Sequence, residues 1–103
     1  MSIREIRILA EAADDLDLGR AFYEKQELRL GAYFWDSLLA DIESLIVVAG
    51  VHNRTGGYYR LLAKRFPYAV YYQIRADIVD VIAVLPLRRD PKWRAGVLRE
   101  RSS

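Results

Sequence analysis

The order of patterns along this sequence predicts an α+β fold, β-α-α-β-β-β, in which an αα-hairpin packs on one face of a mainly antiparallel sheet of about four strands. Three observations carry that reading. Residues 3–9, IREIRIL, alternate charged and aliphatic side chains as a half-buried strand does. Apolar residues then recur at three- and four-residue steps through two consecutive segments. Finally, residues 58–85 hold three runs of strand formers separated only by short turns.

The first helix is expected in AEAADDLDLGRAFYEKQE, with Ala12, Leu16, Gly19, Phe22 and Tyr23 on its inner face. Glu11, Asp14 and Asp15 in its opening turns suit the positive end of the helix dipole. Gly19 weakens a helix by about 1 kcal/mol relative to Ala, so its presence predicts close packing at that position. A break near Gly31 leads to AYFWDSLLADIESLIVVAG, where Phe34, Leu38, Ile42 and Leu45 form one stripe and Trp35, Leu39 and Ile46 flank it. A stripe this wide belongs against a sheet, and Trp35 reads as a core residue. GVHNRTGG ends the helical half with turn formers.

The three later strands are expected at about 58–64, 68–75 and 78–85. RFP joins the first two, and Ala76-Asp77 makes a tight hairpin between the second and third. IVDVIAVL is apolar on both faces after Asp80, which places it in the sheet interior. On the middle strand Val70, Tyr72 and Ile74 make the core set, leaving Tyr71 on the charged face with Gln73 and Arg75. The tail, LRRDPKWRAGVLRERSS, holds a helical turn from Asp90 with Pro91 at its first position. Trp93 there either pins the tail to the sheet or anchors an interface. Whether the tail from about residue 88 is ordered or mobile stays open.

The chain has 103 residues, 52% hydrophobic and 29% charged, which fits a single domain, 1–103, with one modest core. Apolar runs fall short of the roughly 20 residues a bilayer span needs, so no membrane role is expected. The start turns acidic where a signal peptide would place its apolar core, and a cytoplasmic location is expected. With no cysteine and one histidine, disulfides, thiolate metal sites and a protein-built zinc centre are not expected, and no cofactor motif is present. His52, in the Gly-rich loop, reads as a surface or loop-packing residue. The net charge is only +2, but it is unevenly spread. Residues 1–49 carry five basic and ten acidic side chains, and residues 50–103 carry eleven and four. A basic second half attracts polyanions or an acidic partner chain.

Four stretches, AADDL, FWDSLLADIESL, YYRLLAKRFPYAVYYQI and VIAVLPLRRDP, together resemble the RelE/ParE superfamily of type II toxin–antitoxin toxins, and its ParE-like branch in particular. The resemblance implies a small bacterial toxin that inhibits growth, belongs to a plasmid-stabilisation type of system, and is neutralised in a hetero-oligomer with a cognate antitoxin. In the ParE-like branch it implies DNA gyrase as the target, reached by binding. In the RelE-like branch it implies metal-independent cleavage of mRNA on the ribosome. For such a nuclease the cations would be Arg60, Lys64, Arg65 and Arg88, but Leu62 and Ala69 stand where further charge is expected. Losing one preorganised donor costs about a hundredfold or more in rate. A third implied possibility is a chain that only binds its antitoxin. For contact with a target or antitoxin the candidates are Arg60, Lys64, Arg65, Tyr71, Arg75, Arg88, Arg89 and Trp93.

Overall fold

The computed structural model describes residues 2–102. Its elements are β1 (Glu5–Ile8), α1 (Ala10–Gln26), α2 (Leu30–Glu43), the single-turn α3 (Leu45–Val48), β2 (Arg54–Thr55), β3 (Tyr58–Leu62), β4 (Tyr68–Arg75), β5 (Ile78–Pro86) and α4 (Pro91–Arg101). The predicted α+β class and helical hairpin are present. The sheet has five strands rather than about four, in the order β1-β5-β4-β3-β2. The extra strand is a two-residue edge, Arg54 and Thr55, folded back on Tyr59 and Tyr58. It lies inside the loop that reads as turn formers alone, because two residues are too few to show alternation. β1 pairs parallel to β5, while β5, β4 and β3 form the antiparallel meander.

α1 and α2 cover one sheet face. Phe34, Leu38, Ile42 and Leu45, the predicted stripe, are all buried, and they meet Ala12 and Leu16 of α1 and Val70, Tyr72, Val79 and Val81 of the sheet. Gly19 is required by this packing: a Cβ there would lie 2.4 Å from Phe34 Cζ. Around it Tyr23, Phe34, Phe66 and Tyr68 form an aromatic cluster with ring centroids 4.7–6.2 Å apart. Trp35 is only partly buried at its margin, with the Arg20 guanidinium 5.5 Å from the ring centre. Glu24 closes the hairpin by accepting the backbone N–H groups of Arg29 and Gly31 at 3.0 and 2.9 Å. These two bonds hold its carboxyl below the usual range.

The tail is an eleven-residue helix rather than a single turn. Asp90 caps it by accepting the Lys92 N–H at 2.7 Å, and Pro91 occupies the first turn, where a missing N–H costs nothing. α4 covers part of the second sheet face, placing Leu98, Trp93 and Val97 over Tyr58, Ala69, Tyr71, Ile82 and Leu85. Its C-terminal end is fixed by charge. Arg101 makes a two-pronged contact to Asp15 of α1, Nη1 to Oδ2 at 2.5 Å and Nη2 to Oδ1 at 2.9 Å, and donates a third bond to the Ile82 carbonyl. Asp15 Oδ2 also accepts the Val84 N–H at 2.9 Å. The β4–β5 register shifts between Tyr71 and Tyr72, so that Tyr71 faces Ala83 and Tyr72 faces Val81. The carboxylate of Asp15 therefore serves backbone on the far side of this bulge, next to the Arg101 bond to Ile82.

Candidate functional site

Two chain segments that carry exposed cations meet at one end of the sheet. β3 and β4 are joined by the turn that carries Lys64, Arg65, Phe66 and Pro67, and β5 leaves the sheet at Leu87, Arg88 and Arg89. Leu87 N–H donates to the Pro67 carbonyl at 2.8 Å, which ties the two segments side by side. Asp41 of α2 accepts the Lys64 N–H at 3.1 Å and fixes the turn from the helix side. Lys64, Arg65, Arg88 and Arg89 are all exposed.

Each of the two exit arginines is spread on an aromatic ring. Arg88 Cζ lies 3.9 Å from the centre of the Phe22 ring and 5.9 Å from that of Tyr68. Arg89 Cζ lies 3.9 Å from the centre of Trp93. The ring contacts do not use the Arg89 N–H donors, and Arg88, whose side chain also hydrogen-bonds Tyr23, keeps its remaining donors for an incoming carboxylate or phosphate. Arg94 stabilises the same exit differently, donating to the carbonyls of Leu87 and Arg89 at 3.1 and 2.6 Å. Between α1 and this exit runs a cleft of about 270 Å³ lined by Leu18, Tyr68, Pro86, Arg88, Arg89 and Trp93, with the Asp15–Arg101 pair in its wall. A larger concavity of about 640 Å³ lies between α1 and α2, but there Arg20 and Arg29 stand beside Glu24 and Asp36. Its charges are balanced, and an anion gains less there.

The remaining candidates are elsewhere. Tyr71 does share its face with Gln73 and Arg75, yet it is 1% exposed beneath α4 and belongs to the second core cluster. Its expected availability is thus corrected: the helix, invisible to strand alternation, covers that half of the face. Arg75 lies at the opposite end of β4 and is committed to Asp80 through Nε–Oδ2 at 2.6 Å and Nη2–Oδ1 at 3.3 Å. Arg60 lies on β3 opposite Tyr71, away from the rim. Trp93 packs α4 against the second core cluster, as the pinning reading expects, and also carries Arg89. The residues that sequence reasoning missed are Phe22 and Tyr68, as beds for Arg88, and Asp15 and Arg101, as the lock on α4. No local pattern signals the lock, because its partners are 86 positions apart.

No protein-family model matches the chain, and no curated protein matches it. Among solved structures, it is similar to a chain of the chromosomal ParDE TA system from P. aeruginosa, with a TM-score of 0.76 and 15% sequence identity over 84% of this chain and 98% of that one. The likeness is one of fold, and it spans almost all of the solved chain. Among the described residues no helix is long and apolar enough to cross a membrane.

Proposed function

We propose that this chain is the toxin component of a type II toxin–antitoxin system, ParE-like, which inhibits growth by binding its target and is neutralised by a cognate antitoxin in a hetero-oligomer in the cytoplasm. The observation that carries the reading is the match in fold to a chain of a ParDE system over nearly that chain's whole length, joined to a rim where four exposed cations converge. DNA gyrase is the proposed target by the same resemblance. The rim acts by contact: Arg88 and Arg89 are oriented by their aromatic beds, and Lys64 and Arg65 extend the positive surface along the turn.

The ribosome-dependent nuclease reading gains less support. It needs Arg60, Lys64, Arg65 and Arg88 around one phosphate, and Arg60 stands apart from the other three. Leu62 and Ala69, where further cations are expected, are cross-strand partners, so the gap is one continuous apolar patch between β3 and β4. A chain that only pairs with its antitoxin is the remaining alternative. The deciding experiment is induced expression in a bacterial host followed by two assays on the purified chain, gyrase supercoiling and ribosome toeprinting. Growth arrest with inhibited supercoiling and unchanged toeprints is expected, with loss of inhibition in the Arg88→Gln, Arg89→Gln double variant. New toeprints with supercoiling untouched overturn the target and favour the nuclease.

A further inference from the structure

A separate feature lies at the β3 edge, away from the rim. Arg60, Arg94 and Arg101 are the half-buried arginines among the described residues. Arg94 is satisfied by two carbonyls and Arg101 by Asp15. The Arg60 side chain has no hydrogen-bond, ion-pair or ring partner among the described residues. A guanidinium partly withdrawn from water and left unpaired is costly, and such a group is matched when a carboxylate arrives.

Arg60 lines an open concavity of about 360 Å³ with Val51, His52, Asn53, Leu61 and Leu62. His52 is held there by Tyr72, whose hydroxyl lies 2.5 Å from Nδ1 and already accepts the Gly50 N–H at 2.9 Å. Tyr72 has one proton to give. Where that proton goes to Nδ1 of the neutral ring, Nε2 carries the N–H donor. Burial lowers the His52 pKa and so favours that neutral ring. Arg60 and Leu62, on the Tyr71 side of the edge strand, thus line one concavity with the loop residues Val51, His52 and Asn53, so that cationic, polar and aliphatic groups share it. Val51 is 74% exposed and Leu62 50%. At backbone level β2 pairs with Tyr58 and Tyr59 and the Asn53 carbonyl takes the Arg60 N–H, so among the described residues the pairing along this edge ends at Arg60, before Leu62.

We propose that this concavity receives an Asp or Glu side chain of a partner protein segment in which the acidic residue is flanked by aliphatic ones. Charge complementarity selects the carboxylate, and the exposed Val51 and Leu62 select its neighbours. A nucleic-acid phosphate would meet the same donors but leave both aliphatic walls against sugar and solvent. The inference goes beyond the target-binding reading, because it concerns another edge of the sheet and holds whichever target the rim contacts.

His52 is the single histidine of the chain, so its ring signals report on the concavity without ambiguity. The test is an NMR titration of the isotope-labelled full chain at neutral pH, at constant ionic strength. The probes are the acetylated and amidated peptide Val-Glu-Leu, its Val-Gln-Leu counterpart, and a hexauridylate. We expect the Glu peptide to shift the His52 ring and the Val51 and Leu62 methyl signals. The Gln peptide should bind at least tenfold more weakly, and Arg60→Gln should abolish the difference while the remaining spectrum stays native-like. Leu62→Asn should weaken both peptides and keep their ratio. Equal shifts from the two peptides, a full response in Arg60→Gln, or tighter binding of the hexauridylate than of the Glu peptide would each overturn the proposal. Absence of any shift at tens of millimolar peptide would do so too. None of these outcomes depends on growth arrest or gyrase inhibition, so failure here is distinct from failure of the toxin reading.

Discussion

The two faces of the sheet are covered by different means. Beneath the α1–α2 hairpin, Phe34, Leu38, Ile42, Val70, Tyr72 and their neighbours make a continuous apolar core with four aromatic rings interlocked at one end. Beneath α4 the buried cluster is smaller, and Leu98 is the one fully buried side chain that the helix supplies. What completes the second cover is an ion pair of small exposure, Asp15 with Arg101. The first face is therefore held by area removed from water and the second by area plus a charge lock, which makes the second the more easily perturbed.

The largest effects belong to the hairpin face. Phe34→Ala empties the centre of the aromatic cluster and should cost about 3–5 kcal/mol. Leu98→Ala under α4 should cost less, about 2–3 kcal/mol, because that shallower site can collapse further. Urea denaturation of both variants measures the difference. Equal losses would mean that the two covers are energetically alike and break the contrast.

A smaller effect sharpens the same contrast. Arg101→Ala strands the Asp15 carboxylate with only the Val84 N–H, whereas Asp15→Asn keeps that bond and removes the charge. The first should therefore destabilise by about 2–3 kcal/mol and the second by less. In a double-mutant cycle the pair should couple by about 1–3 kcal/mol, while Phe34→Ala and Leu98→Ala, on opposite faces, should add within about 0.5 kcal/mol. An additive Asp15–Arg101 cycle would remove the charge lock from the account.

The hairpin face is the part that was legible in the sequence, and the reason is local. The stripe from Phe34 to Leu45 repeats every three or four residues, and Gly19 marks the one close approach. The tail face was not legible, although its alternation was read correctly. Tyr71 does point with Gln73 and Arg75, but α4 arrives from the far end of the chain and covers one half of that face only. The bulge hides more: it turns Ile82 and Ala83 to the same side, which no strict period of two contains. Asp15 read as a helix-dipole residue for the same reason. Its partner is distant in sequence, and acidic residues in the opening turns of a helix need no partner to be explained. Of the site, the cations were visible as residue types and Trp93 lies only four positions beyond Arg89, while the bed of Phe22 and Tyr68 under Arg88 depends on tertiary contact.

The uncovered half of the tail face gives the smallest effect. Asp80 is buried on β5, and Arg75 reaches it from the adjacent strand with two bonds, joined by Gln73 at 3.5 Å. The bond from Arg75 is the main cause that holds the Asp80 carboxyl below its ordinary value. A carboxyl whose pKa is depressed on folding adds stability above its unfolded value, near 4, and that stability is lost as pH falls through the lower, folded value. The wild-type chain should therefore lose thermal stability progressively below about pH 4 from this pair. Arg75→Gln should flatten that acid limb and lower the melting midpoint slightly at pH 7, where Asp80 is charged and less well matched. Raising salt should weaken the pair only in part at pH 7, since the Asp80 side chain is 5% exposed while that of Arg75 is 51% exposed. Melting curves from pH 2 to 7 at two ionic strengths check each part. An acid limb unchanged in Arg75→Gln would assign it to the other carboxyls held below their ordinary values, Glu24 and Asp77, and so take the acid-sensitive group off the Arg75–Asp80 pair.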